Sequence, residues 1–368
     1  MPRISFLAVL FITSSVYAQV TGKFMGEILK QYEKCSIYLQ GVNGSPSGKD
    51  TEYLVPQSDR FTAMASSVYE DADLNQKKMI LYYKTMLDIR MGYMYAEGHY
   101  YKDAYYRYYK TAAEGMRYIT QPRWFPLKYQ TDSMEYTLDR TYVTQIESLF
   151  YLDLLNTALI SDDWAGARGA YNDMKASTAM SHYNNYVASS AMISFMVKHK
   201  KIADMVDKEK DDLFELYADN IRQLGAFDNS DNQKFAGDPK IDYEKRCKEV
   251  LDLTRYWETN RKANADAKLG AIFWYVKDTV RSRSCFTDAL NAGFYFGTSN
   301  MDAAADVAIA TQDKDLCVKV AENLKEDPGI DKECYWLMKI ADLYETAGNL
   351  SAAKEYRRKS HACAKSKH

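Results

Sequence analysis

Apolar residues recur at helical intervals along almost the whole chain. Ile80, Tyr83, Leu87, Met91 and Met94 follow one another at steps of three and four, as do Leu138, Tyr142, Ile146 and Leu149. Such steps gather side chains on one side of a helix, whereas a half-buried strand needs strict alternation. No run of four or more residues bounded by turns alternates convincingly, so the pattern predicts an all-α protein. Helical spacing covers residues 24 to 39 and gives way to a loop over Asn43 to Asp50, which holds Gly44, Pro46 and Gly48. It resumes near Ser58. Two later stretches break it. Gln121 to Ser133 contains Pro122 and Pro126, each lacking a backbone donor. Phe227 to Pro239 is rich in Asp, Asn and Gly.

The first residues read as an address rather than as structure. Arg3 precedes an apolar run from Ile4 to Thr13, and Val16-Tyr17-Ala18 ends it with a small residue suited to cleavage before Gln19. The run is too short to span a bilayer. The chain is therefore expected to be exported, secreted or periplasmic, with no membrane span once cleaved. Its parts are a signal peptide (1–18), an N-terminal helix and Gly/Pro loop (19–57), a first helical repeat region (58–225), a loop (226–240) and a second helical repeat region (241–368).

A five-position pattern repeats within those regions. Ala341, Tyr344, Gly348, Leu350 and Ala353 place a small residue, an aromatic, a turn glycine, an apolar residue and a second small residue in order. Small residues let two helix backbones approach, and glycine permits the tight turn between them. Gly92, Tyr95, His99, Tyr101 and Ala104 keep the same spacing. Leu155, Ala158, Asp162, Trp164 and Ala167 follow it with a larger first residue, and Ala292, Tyr295, Ser299, Met301 and Ala304 complete the set. This pattern resembles the tetratricopeptide repeat, a pair of antiparallel helices with a period of roughly 34 residues. The resemblance implies a TPR-like α-solenoid of helical hairpins, partly degenerate in the middle, because the four starts lie 63, 137 and 49 residues apart. It also implies a groove that holds a protein or peptide partner.

Composition adds one oddity to this picture, 31 tyrosines. Tyr100, Tyr101, Tyr105, Tyr106, Tyr108 and Tyr109 crowd a short stretch, and tyrosine supplies large amphipathic area to binding surfaces. Tyr101, Tyr105, Tyr106, Tyr109 and Trp124 are the candidate partner contacts, with core filling as the competing use of the same rings. Forty-eight basic and 50 acidic residues give a net charge of -2, which leaves no electrostatic footprint for nucleic acid. Six cysteines, Cys35, Cys247, Cys285, Cys317, Cys334 and Cys363, lack the spacing of a zinc site. In an oxidising compartment Cys317 and Cys334, which flank Pro328-Gly329, are a candidate pair; buried free thiols are the alternative.

No catalytic template fits. The chain has no nucleophile elbow, no phosphate-cradling glycine loop and no paired metal-binding histidines on a helix. No cofactor or metal is therefore expected, and the chain reads as non-enzymatic. Two other uses stay open: a glycan or small-molecule binder whose tyrosine and tryptophan rings stack on sugars, and a glycan-active enzyme using Asp139 with Glu147. Asn43 and Asn349 each begin a glycosylation triplet.

Overall fold

The computed structural model describes residues 24–39, 48–121, 127–130, 135–138, 140–177, 181–226, 239–296 and 298–366. The expected signal peptide, Asn43, Trp124, Asp139 and most of the 226–240 loop lie outside them. The class is all-α. Two compact units divide the chain, Met1–Met192 and Ile193–His368. The division falls inside the helix His182–His199, ahead of the 226–240 loop.

The first unit holds α1 (24–39), α2 (Gly48–Tyr69), α3 (Leu74–Glu97), α4 (101–119), α5 (Arg140–Ile160), α6 (Trp164–Ala176) and the start of α7 (His182–His199). Helix α2 begins at Gly48, earlier than its glycines and proline suggest, with Pro56 inside it. Its buried stripe of Leu54, Ser58, Phe61, Ala65 and Val68 continues unbroken through the proline, so packing carries the helix past a poor local sequence. A second departure lies at the expected 121–133 break. There Leu127–Gln130 (β1) and Glu135–Leu138 (β2) form an antiparallel pair in register Leu127↔Leu138 and Tyr129↔Tyr136. Each four-residue segment alternates apolar and polar residues, a period-two signal too short to register against the surrounding helices.

The second unit consists of α8 (Asp207–Gly225), α9 (Pro239–Thr254), α10 (Thr259–Tyr275), α11 (Thr279–Asn291), α12 (Thr298–Ala310), α13 (Lys314–Lys325), α14 (Cys334–Thr346) and α15 (Leu350–Ser366). Successive hairpins pack on one another. Arg261 of α10 pairs with Asp207 and Asp211 of α8, and Lys339 of α14 pairs with Asp306 of α12. The apolar core between hairpins includes Phe286, Phe296, Met301, Val320 and Ile340.

One turn recurs in both units. The first helix of a hairpin ends on a residue of positive φ: His99 (65°), Asp162 (62°), Lys277 (67°), Gln312 (51°) or Gly348 (86°). The next N–H then returns to the carbonyl five residues earlier, as in Asp163 to Ala158 (2.9 Å), Asp278 to Phe273 (2.8 Å) and Asp313 to Ala308 (3.1 Å). This satisfies carbonyls that a helix end leaves open. In four of the five turns that same residue is an Asp or Asn whose side chain caps the following helix. Asp163 accepts from the Gly166 N–H, Asp278 from Arg281, Asp313 from Leu316 and Asn349 from Ala352. One residue thus closes one helix and opens the next.

The turns fix the phase of the small residues. Seven before and five after each positive-φ residue stand Gly92 and Ala104, Leu155 and Ala167, Gly270 and Ser282, Ala305 and Cys317, and Ala341 and Ala353, all buried. Ser282 donates to the Gly270 carbonyl across its crossing, at 2.7 Å. The set expected at Ala292 to Ala304 is out of phase: Ala292 ends α11, Tyr295 lies between hairpins and Ser299 is inside α12. The hairpins that replace it turn at Lys277 and Gln312. Both lack the apolar fourth residue of the pattern, with Thr279 and Lys314 in its place.

The cysteines resolve differently from the expected pair. Cys334 is bonded to Cys363, stapling α14 to α15, and Cys317 is a buried free thiol with Cys35, Cys247 and Cys285. Cys317 faces its own crossing as a small apolar residue, which removes it from Cys334.

Gly92 shows how tight a crossing is. A Cβ there would sit 2.4 Å from Cδ1 and Cε1 of Tyr109. Gly92→Ala is expected to destabilise the first unit by about 2 kcal/mol through overpacking. Urea unfolding measures it, and adding Tyr109→Leu should recover part of the loss, because ring carbons cause the clash.

Candidate functional site

The tyrosine block lies on α4, which is not uniform. Tyr101–Asp103 and Lys110–Ile119 are α-helical, and Ala104–Tyr109 between them is a π turn in which the Lys110 N–H reaches the Tyr105 carbonyl. The wider turn lets Tyr105, Tyr108 and Tyr109 all point inward. Of the five candidate contacts, Tyr105 and Tyr109 are therefore core residues, 1% and 0% exposed. Tyr109 stands one turn after Tyr105 and shares its side, so the stripe that buries one buries the other. Tyr106 stays outside, 52% exposed, its ring edge-on to Tyr105 and beneath Lys110. Tyr101 is half-buried, with its hydroxyl 2.8 Å from His99 Nδ1. Trp124 is outside the described residues.

The buried rings hold neighbouring elements in place. Tyr105 donates its hydroxyl to Asp163 Oδ2 at 2.7 Å, joining α4 to the cap of α6. The Gly166 N–H, and then this hydroxyl, hold the Asp163 carboxyl below its usual range. A Cβ on Gly166 would lie 2.0 Å from the Tyr105 hydroxyl, so the bond requires glycine there. Tyr108 packs on Tyr95 with centroids 5.2 Å apart. The Tyr109 ring is wedged between Gly92 of α3 and Phe150 of α5, meeting Phe150 edge-on at 5.7 Å.

At the far end of that ring lies a cluster the sequence search did not single out. Among the described residues the buried Tyr109 hydroxyl has no hydrogen-bond partner. Burial raises its pKa first, and then its neighbours Asp153, Tyr93 and Glu97. Tyr93 and Glu97 are one turn apart on α3, and Tyr93 donates its hydroxyl to Glu97. Asp153 stands one turn beyond Phe150 on α5, half-buried, with its pKa raised to about 6 by burial and then by Glu97. Among the described residues no cation pairs with the Asp153 carboxylate. One signal was available: Asp153 is the single charge in the apolar run from Leu149 to Ile160.

The other expected carboxylate pair does not come together within the described residues. Glu147 is buried, 7% exposed, and Asp139 lies outside them. Among the described residues no three His, Cys, Asp or Glu groups converge as metal ligands, and no helix is long and apolar enough to cross a membrane. Compared with protein-family models and with curated proteins, the sequence matches none.

Proposed function

We propose that the protein is an exported, non-enzymatic scaffold that binds a protein or peptide partner, built from helix pairs of tetratricopeptide type. One observation carries the binding assignment: the tyrosine-rich helices split their rings between two uses. Tyr105, Tyr108 and Tyr109 fill the core, while Tyr93, Tyr100 and Tyr106 are 54%, 56% and 52% exposed. Rings kept half in water on an otherwise well-packed helix give amphipathic contact area at little entropic cost. Further support comes from the five described hairpins closed by the same turn, each crossed at one or two small residues. In the second unit the turns at Lys277, Gln312 and Gly348 follow at intervals of 35 and 36 residues, near the repeat period. The Cys334–Cys363 bond suits an oxidising compartment, in keeping with the signal sequence.

The test uses Tyr100→Ala with Tyr106→Ala, because changing Tyr105 or Tyr109 would damage the core. Partners of the mature chain, cross-linked in the fluid or envelope fraction of its own source, are compared between wild type and the double variant. Capture of the principal partner is expected to fall about tenfold, the loss of one strong contact. An unchanged partner set would sink the assignment of these rings.

A further inference from the structure

We infer that the acidic cluster of Glu97 and Asp153, where α3, α4 and α5 meet, receives the side-chain cation of an arginine or lysine from the partner. The inference rests on the scaffold reading above and names the chemistry its surface recognises. Asp153 and Glu97 bring two carboxylates together, and among the described residues the only charge acting on Asp153 is the negative one of Glu97. A half-buried carboxylate without a cation or a donor is costly, and no described residue relieves that cost. The second observation is independent of the acids. The Tyr109 hydroxyl belongs to a fully buried side chain, and among the described residues no group satisfies it. Its ring is fixed by Gly92 on one side and Phe150 on the other, so the oxygen cannot swing away to find water.

The arrangement is matched by an organic cation. A guanidinium or ammonium group donates several N–H bonds and accepts none, so two carboxylates and a phenol oxygen suit it. The exposed Tyr93 beside them offers a ring face for a cation–π contact. Calcium or magnesium is the poorer fit, since each takes about six oxygen ligands and fewer than three acidic or other ligating groups converge here.

The full mature chain is titrated with Nα-acetyl-arginine amide and Nα-acetyl-lysine amide, and with the citrulline amide, which keeps the shape of arginine without its charge. Binding is followed by saturation-transfer NMR. The cationic amides are expected to bind saturably and citrulline not to. Affinity should fall about tenfold or more in Asp153→Asn and in Glu97→Gln, the loss of a charge-assisted contact. It should also rise as pH increases through about 6, where Asp153 ionises. Arginine tighter than lysine assigns a guanidinium, and the reverse order an ammonium. Equal binding of citrulline, full affinity in Asp153→Asn, or displacement of the amides by millimolar calcium chloride would overturn the inference. Its failure is separable from that of the scaffold reading. A captured partner that Asp153→Asn retains leaves the scaffold and removes the cation site, whereas arginine binding with no protein partner does the opposite.

Discussion

Asp153→Asn is expected to make the free protein more stable at neutral pH, by about 2 kcal/mol. The Asp153 carboxyl titrates near 6 in the folded chain and near the ordinary aspartate value when unfolded. Between those two values the folded state holds a proton that the unfolded state has released, so stability falls as pH rises from about 4 to about 6. Below that window Asp153 costs nothing through ionisation, and above it the cost is complete. A shift of about two units corresponds to about 3 kcal/mol, and the burial of the amide that replaces the acid takes part of this back. Other carboxylates, such as Asp163, are held low and give the opposite slope. The informative quantity is thus the difference between variant and wild type, from urea unfolding at pH 4, 5, 6 and 7. A difference that does not grow with pH would show that Asp153 is paired. A residue whose removal stabilises the fold is one that folding alone does not explain, which is the pattern of a group kept for binding.

Loss of the terminal disulfide is expected to act in the other direction and more strongly. Cys334 and Cys363 are 29 residues apart, and closing a loop of that length is worth about 3 to 4 kcal/mol in the chain-entropy account. Cys334→Ser with Cys363→Ser should lower the unfolding free energy of the second unit by that amount, read as an earlier urea midpoint. A reductant should reproduce the effect without mutation, because the remaining thiols are poor participants in exchange. Burial pushes Cys35 and Cys317 up to about 11 and Cys247 and Cys285 up to about 12, so almost none is thiolate at neutral pH. Denatured without reductant, the chain should expose four titratable thiols, and with reductant six. Six in both conditions would contradict the bond.

The parts of the fold that were legible in the sequence are those whose physics is local. Helical spacing of apolar residues marked most helices, and the last hairpin announced itself because Gly348 is a glycine where the backbone needs positive φ. Lys277 and Gln312 adopt the same conformation, but Thr279 and Lys314 follow them where the five-position pattern has an apolar residue, so their hairpins went unread. The steadier mark was the residue that follows, Asp163, Asp278, Asp313 or Asn349, since a helix cap needs a side-chain oxygen and little else can supply it. The tyrosines were harder. Whether a ring in a dense aromatic run faces core or water depends on which helices pack around it, and the π turn over Ala104–Tyr109 is set by that packing. Tyr106 is exposed, whereas Tyr105 and Tyr109, candidates for the same surface, are core residues. Glu97 and Asp153 are 56 residues apart in the chain, and only the pairing of α3 with α5 makes them neighbours.

The terminal staple has a consequence for cleavage. The peptide chain joins α14 and α15 at Gly348, and the disulfide joins them again at their opposite ends, so the last hairpin is a covalent ring. A protease that cuts the exposed turn between them opens the ring without freeing either arm. The final helix then leaves only after a second, chemical event, reduction of Cys334–Cys363. On a gel, the nicked chain keeps its full mass until thiol is added. Wherever proteases are plentiful and reductants scarce, the end of the protein is guarded by a lock whose two keys are rarely present together.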